Sequence, residues 1–129
     1  MLNPAKRVEE IELSLIRKMF EVTNPDAVNL GIGEPDFDVP QNIKEAMKRA
    51  IDEGYTKYTS NKGLIELREA IVDKLAKDNN IKTDAENVIV TCGASESLYT
   101  AAQALFEKGD NVLVPNPGFL SYYTCVQLA

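Results

Sequence analysis

Apolar residues recur every three or four positions in four stretches of the chain, which predicts four amphipathic helices. The first is expected over residues 5–21 and the second between Pro40 and Gly54. The third contains the apolar residues from Leu64 to Leu75 and ends at about residue 78, and the fourth lies around residues 98–106. Their apolar faces are formed by Val8, Ile11, Leu15 and Met19; Ile43, Ala46, Met47, Ala50 and Ile51; Leu64, Leu67, Ile71 and Leu75; and Leu98, Ala101, Ala102, Leu105 and Phe106. The last segment, NPGFLSYYTCVQLA, predicts a loop that opens a further helix.

Two short runs have a different pattern. Residues 88–91 (VIVT) and 111–115 (NVLVP) are nearly continuously apolar, which is typical of strands buried on both faces of a sheet. The order of strand, small-residue corner, helix and strand predicts an α/β fold with a right-handed crossover. Upstream, Pro35 and Pro40 exclude regular helix, so AVNLGIGEPDFDVP is predicted to be a constrained loop.

Composition narrows the function classes. The 129 residues include 14 basic and 20 acidic side chains, a net charge of -6, which disfavours nucleic acid or an anionic membrane as a partner. No stretch has the pattern of a signal peptide or a membrane span, so we expect a cytoplasmic protein. Cys92 and Cys125 lack metal-ligand spacing. The chain contains no histidine, which excludes a Ser-His-acid triad, a Cys-His pair and a histidine metal site within it.

A Cys-Gly-Ala-Ser corner joins the first predicted strand to the helix that follows it. Ligands of α/β sheets bind outside the carboxyl ends of strands, where Gly93, Ala94 and Ser95 fall. Small side chains let an anion approach the main chain, and the first N–H groups of a helix favour negative charge. The corner is therefore a candidate phosphate site. The alternative is that Gly93 only permits a tight turn and Ser95 only caps the helix.

Two catalytic motifs are matched only in part. Residues 93–97 (GASES) resemble the nucleophile elbow G-x-S-x-G, but Ser97 replaces the final glycine and no histidine is available to activate Ser95. Residues 31–36 (GIGEPD) begin like a dinucleotide-binding fingerprint, but Pro35 excludes the helix and the third glycine is missing. We therefore predict neither a serine hydrolase nor a Rossmann site.

Four blocks in order resemble the N-terminal part of the class I/II aminotransferases, which are fold type I pyridoxal-phosphate enzymes. The blocks are NLGIGEPDFDVP, YTKYTSNKGLIELREAI, VIVTCGASESL and KGDNVLVPNPGFLSY, and the resemblance covers residues 7–129. It implies an α/β fold whose large domain has three α/β/α layers around a mainly parallel sheet, incomplete here. It also implies an N-terminal arm, helix and active-site loop on the small-domain side at residues 1–40, and the start of the large cofactor-binding domain at residues 41–129.

The resemblance implies pyridoxal 5′-phosphate as cofactor and assigns residues to it. Gly93, Ala94 and Ser95 match the family's phosphate site, where the N–H groups of Ala94 and Ser95 and the Ser95 hydroxyl would bind the phosphate. Phe119 matches the aromatic residue that stacks on the pyridine ring. Tyr58 matches a tyrosine that, in the family's homodimer, reaches the phosphate of the other subunit. The alternatives are a core aromatic for Phe119 and a solvent-edge loop residue for Tyr58.

Three further positions acquire roles in the same way. Gly33 matches the position beside the substrate's α-carboxylate, where a side chain would collide; the alternative is a turn glycine with positive φ. The Asn116–Pro117 bond falls where some relatives have a cis peptide. Arg68 matches a family arginine to which we assign a structural role.

The activity implied by the resemblance is transfer of an amino group between an amino acid and a 2-oxo acid. The family's Schiff-base lysine, and the aspartate, tyrosine and arginine that assist it, lie beyond the position that corresponds to Ala129. We therefore assign no catalytic residue and no metal ligand here, and expect an N-terminal fragment that is inactive alone. The alternatives are a fold type I lyase or decarboxylating enzyme, or a non-enzymatic phosphate-binding or dimerisation module.

Overall fold

A computed structural model of the chain describes residues 3–9, 11, 26, 28, 30 and 33–129. These residues form four α-helices and two short 3-10 helices. The α-helices are α1 (Gln41–Asp52), α2 (Ile65–Asn79), α3 (Gly93–Leu105) and α4 (Ser121–Leu128), and the 3-10 helices are η1 (Lys6–Val8) and η2 (Ala85–Asn87). The chain divides into two compact units, a central unit of residues 35–91 and a terminal unit of residues 1–34 and 92–129.

The central unit contains α1, α2 and η2, and each of its helices ends where the sequence provides a stop. After α1 the chain turns at Gly54, whose φ is 84°. After α2 it turns at Asn80, which has φ 55° and ψ 32°, a left-handed conformation that asparagine tolerates better than most residues. The Asp84 side chain caps η2 by accepting a hydrogen bond from the N–H of Glu86 at 3.1 Å.

Arg68 of α2 is the buried charged residue of the central unit, with 6% of its surface exposed. Its Nη1 donates a 2.8 Å hydrogen bond to the main-chain oxygen of Ala85 and lies 3.7 Å from the Glu86 carboxylate. The arginine therefore connects α2 to η2, since a buried guanidinium must find acceptors for its donors. This contact agrees with the structural role predicted for Arg68.

The terminal unit is built on the packing of α3 against α4, and η1 also contacts α4. Ala102 of α3 and Cys125 of α4 are buried in it. Beside them lies an open apolar cavity of about 330 Å³. It is lined by both helices and by the segment of residues 112–115, which runs past their apolar sides.

Neither segment predicted as a strand is assigned as one among the described residues. Val88 has extended geometry, with φ -112° and ψ 130°, and the N–H of Val90 donates a 3.0 Å hydrogen bond to the main-chain oxygen of Lys62. A strand is defined by a ladder of such bonds to a neighbouring strand, and the bond from Val90 joins the segment to a turn. The predicted parallel sheet therefore stays a prediction.

The predictions for the helices at residues 41–52, 65–79, 93–105 and 121–128 are confirmed. Of the helix predicted over residues 5–21, the structure describes η1 at its start, and residues 10 and 12–21 lie outside the described part. The division into domains at residue 40 stays a prediction. None of the described helices has the length and apolar character needed to span a membrane.

Candidate functional site

The predicted phosphate corner is the start of α3. Gly93 is its first residue and has φ 77°, a conformation that a side chain with Cβ adopts only with strain. A Cβ placed there would meet no atom within 4 Å, so the backbone angle, rather than crowding by described residues, requires glycine. Gly93, Ala94 and Ser95 are all exposed. The first turn of the helix is thus open to a ligand.

The donors of this turn suit an anion. Cys92 precedes the helix and makes no side-chain hydrogen bond to cap it. The N–H groups of Ala94 and Ser95 belong to the first turn, where no preceding helical carbonyl is in register to accept them. Together with the Ser95 hydroxyl they form a set of neutral donors, which fits a phosphate group at the positive end of the helix dipole.

Glu96 takes part in the same turn, a contact that the sequence analysis missed. Its carboxylate accepts a hydrogen bond from the N–H of Cys92. Glu96 follows Cys92 by four positions, whereas the capping box has Ser or Thr followed by Glu at three positions, so that motif does not signal this contact. Because this donor is occupied, a phosphate at the corner would depend on Ala94 and Ser95.

Phe119 lies in the same unit, just before α4, and follows the tightly turned segment of residues 115–118. The Asn116–Pro117 bond is cis, as the resemblance suggests. A Cβ on Gly118 would lie 2.5 Å from the main-chain oxygen of Pro115, so only glycine fits at 118. Phe119 contacts Tyr122 edge to face, with ring centroids 5.7 Å apart. At 46% exposure, Phe119 is not a core aromatic of the described residues and keeps surface for a further contact.

Tyr58 belongs to the central unit and lies on a loop of residues 55–62, which we call the Tyr58 loop. Its relative exposure is 107%, so nothing in the described chain covers the ring. The loop surface around it is lined by Thr56, Lys57 and Tyr58. This placement suits a residue that contacts another molecule, and it is equally what the solvent-edge alternative describes.

Gly33 is exposed, and a Cβ there would meet no described atom within 4 Å. The role beside the substrate carboxylate and the alternative of a turn glycine with positive φ both stay predictions. Among the residues described, no group of three or more His, Cys, Asp or Glu side chains is arranged to hold a metal ion.

Comparison with known proteins identifies the family. A family model described as "Aminotransferase class I and II" matches residues 25–129. The chain belongs to this family. As an aminotransferase chain it is 50% identical over 125 residues to the probable aspartate aminotransferase of Methanocaldococcus jannaschii, a match that covers 97% of the chain and 33% of that protein. It is 53% identical over 120 residues to the aspartate aminotransferase of Pyrococcus horikoshii, which covers 92% of the chain and 31% of that protein.

Solved aminotransferase structures match the backbone. The Thermus thermophilus aspartate aminotransferase with maleate superposes with a TM-score of 0.90 at 36% identity, over 99% of this chain and 35% of that chain. The aminotransferase segment described here therefore spans about a third of the length of its relatives. Its helices follow the fold of the family, although no strand is assigned among its described residues.

Proposed function

We propose that the chain supplies the phosphate-binding part of a pyridoxal-phosphate-dependent aminotransferase, which moves an amino group between an amino acid and a 2-oxo acid. Membership of the family supports the reaction class. The observation that carries the cofactor assignment is the exposed first turn of α3, where Gly93 has positive φ and which contains the N–H groups of Ala94 and Ser95. A carboxylate or phosphate is favoured at such a site.

Each of the proposed site residues would contact one part of the cofactor or substrate. Ala94 and Ser95 would hold the phosphate, and Phe119 would pack on the aromatic ring of the cofactor. Tyr58 would reach the phosphate bound to a second copy in a homodimer, and Gly33 would leave room for the substrate carboxylate. The cofactor, when bound, supplies the electron sink that makes the substrate's α-proton labile. In this proposal, residues 1–129 bind and orient the cofactor and the substrate, and none of them transfers a proton.

We further propose that residues 1–129 alone do not catalyse amino transfer. The reaction needs a lysine that bonds to the cofactor and then moves a proton, and the resemblance matches none of this chain's lysines to it. The names of the two relatives make aspartate the first donor to test, with 2-oxoglutarate as acceptor. Measurable turnover by the purified chain with added cofactor would contradict this part of the proposal. We expect the parent protein to act as a cytoplasmic homodimer.

Cofactor binding can be tested on the chain itself. Ser95→Asp places a negative charge at the first turn of α3, and Thr100→Asp places the same charge later on the same helix. We expect pyridoxal phosphate to bind Ser95→Asp at least about tenfold more weakly, since a charge-assisted hydrogen bond is lost and repulsion is added. Thr100→Asp should bind as the unmodified chain does.

Equilibrium dialysis with pyridoxal phosphate, and with pyridoxal as the probe that lacks the phosphate, gives the measurement. The proposal predicts that the unmodified chain prefers the phosphorylated compound and that Ser95→Asp loses this preference. Equal binding of both compounds by the unmodified chain, or equal weakening by both variants, would contradict a phosphate site at α3.

A further inference from the structure

The Tyr58 loop is attached to the rest of the central unit at both of its ends. At the first end, Tyr55 N–H donates to the main-chain oxygen of Ala50 at 2.9 Å, which fixes the exit from α1. At the second end the chain turns at Ser60, whose main-chain oxygen accepts from Gly63 N–H at 2.8 Å. Between these points Tyr58 is fully exposed. The position of its ring therefore depends on how firmly the two ends are held.

Lys62 makes the second attachment through both its main chain and its side chain. Its main-chain oxygen accepts a 3.0 Å hydrogen bond from Val90 N–H. Its ammonium group donates to the Glu86 carboxylate at 2.8 Å and to the Glu86 main-chain oxygen at 3.2 Å. One residue thus contacts the segment of residues 86–90 at three points.

Two neighbours of Lys62 restrict this arrangement further. Gly63, with φ 95°, lies so close to Val90 that an added Cβ would stand 2.7 Å from its Cγ2. Arg68 lies 3.7 Å from the other oxygen of the Glu86 carboxylate. Glu86 is therefore approached by two cations, and the loop end approaches Val90 as closely as glycine permits.

We propose that Lys62 is a positioning residue for Tyr58: its contacts with Glu86 and Val90 hold the end of the Tyr58 loop against the segment of residues 86–90. Its connection with the cofactor rests on the proposed function, because only there does Tyr58 have a phosphate to reach. The attachment itself is a property of this chain and can be measured without cofactor.

The size of the effect follows from exposure. The side chains of Lys62 and Glu86 are 42% and 74% exposed, and ion pairs in water stabilise weakly. In Lys62→Met we expect the Val90 amide hydrogen to exchange about two- to fivefold faster than in the unmodified chain. Chymotrypsin should also cleave faster after Tyr58, since the loop opens more often.

Lys57 provides the matched control, because it lies in the same loop, carries the same charge and has no hydrogen bond or ion pair with any residue that the structure describes. Lys57→Met should leave Val90 exchange unchanged. Lys62→Arg keeps a cation within reach of Glu86 and should restore most of the protection. Urea midpoints of all variants separate local opening of the loop from a loss of global stability.

Three results would overturn the inference: unchanged Val90 exchange in Lys62→Met, equal changes in Lys62→Met and Lys57→Met, or faster exchange spread evenly over α2 and the loop.

Cofactor binding provides the second readout. If Lys62 acts through Tyr58, Lys62→Met weakens pyridoxal phosphate binding in the unmodified background and not in Tyr58→Phe. The two proposals can fail separately. If Val90 exchange changes as expected but the chain shows no phosphate-dependent binding, the proposed function is contradicted and the attachment of the loop is established.

Discussion

The two compact units bury different kinds of residue. The central unit buries the side chains of Arg68 and Val88, and its loop is attached to η2 through polar contacts. The terminal unit buries Ala102 and Cys125 where α3 packs on α4, next to an apolar cavity. The proposed partner-reaching residue thus belongs to the polar unit, and the proposed phosphate corner to the apolar one.

This difference teaches how each site residue is placed. Polar attachments are directional, so they fix the end of a loop at a definite point, but charge and pH alter them. Apolar packing responds instead to volume and shape. We therefore expect charge changes to disturb the surroundings of Tyr58 and volume or polarity changes to disturb those of α3.

The largest effect is expected from Gly63→Ala. The new Cβ would meet Val90, and alanine would adopt a positive φ, so the free energy of unfolding should fall by roughly 2–4 kcal/mol. Gly54→Ala is the control, because Gly54 also has positive φ but open space around it, and should lose roughly 1 kcal/mol. Urea unfolding measures both. Equal losses, or no recovery in the double variant Gly63→Ala/Val90→Ala, would show that Val90 does not set the cost.

The next effect tests the buried charge. Arg68→Met removes the hydrogen bond to Ala85 and should lower the free energy of unfolding by roughly 1–3 kcal/mol. The Nε of Arg68 is buried without a partner among the described residues, which moderates the loss because methionine leaves no donor unsatisfied. Arg49→Met, on the exposed surface of α1, should change stability by less than about 0.5 kcal/mol. A stability gain in Arg68→Met would show that apolar packing also governs the central unit.

The terminal unit is tested through its cavity. We expect the fluorescent probe 1-anilinonaphthalene-8-sulfonate to bind there, since the lining is apolar and open to solvent. Ala101→Glu brings a carboxylate into the lining and should weaken binding of this anionic probe about tenfold. Ala104→Glu adds the same charge to α3 at a position outside the lining and should have little effect. If both variants weaken binding equally, the probe binds elsewhere.

The smallest effect concerns pH. The hydrogen bond from Lys62 and the nearby positive charges of Lys62 and Arg68 hold the pKa of Glu86 below its ordinary value. Because the folded pKa is lower than the unfolded one, the stabilisation is complete above the unfolded pKa and is lost as pH falls through the folded pKa. In Lys62→Met the pKa of Glu86 should rise, as followed by NMR titration of the carboxyl carbon.

Asp38 is the internal reference for that titration. A hydrogen bond from Lys44 lowers the pKa of Asp38, and Lys44 is not altered in the variant. The pKa of Asp38 should therefore stay the same in Lys62→Met. A parallel rise of both pKa values would indicate a general change in fold and would contradict a local ion pair.

The helices could be predicted because their causes lie within the chain. The period of the apolar residues, Pro40 before α1, and the turn residues Gly54 and Asn80 are all local signals. The strands could not be established in the same way. Residues 88–91 have the composition of a buried strand, but a strand needs a neighbour, and the Val90 N–H bonds to Lys62 instead.

The candidate site was predictable only as far as it follows from motifs. The corner at Gly93 was recognisable because a β-branched apolar run, small residues and a helical pattern follow one another in the sequence. The contacts of Lys62 with Glu86 join residues that are 24 positions apart, and no local pattern signals such a pair. Glu96 and Gly118 were overlooked. Glu96 lies one position past the spacing of a capping box, and the signal for Gly118 is only the proline beside it.

The complete exposure of Tyr58 also makes it a chemical reporter. Among the five tyrosines of the chain, its ring is the most accessible, so tetranitromethane should nitrate it first when the chain is alone. Any molecule that covers the Tyr58 loop would slow this modification relative to Tyr99, which lies on α3 outside the loop. Mass spectrometry of the nitrated peptides would then locate a binding partner on the surface before its identity is known.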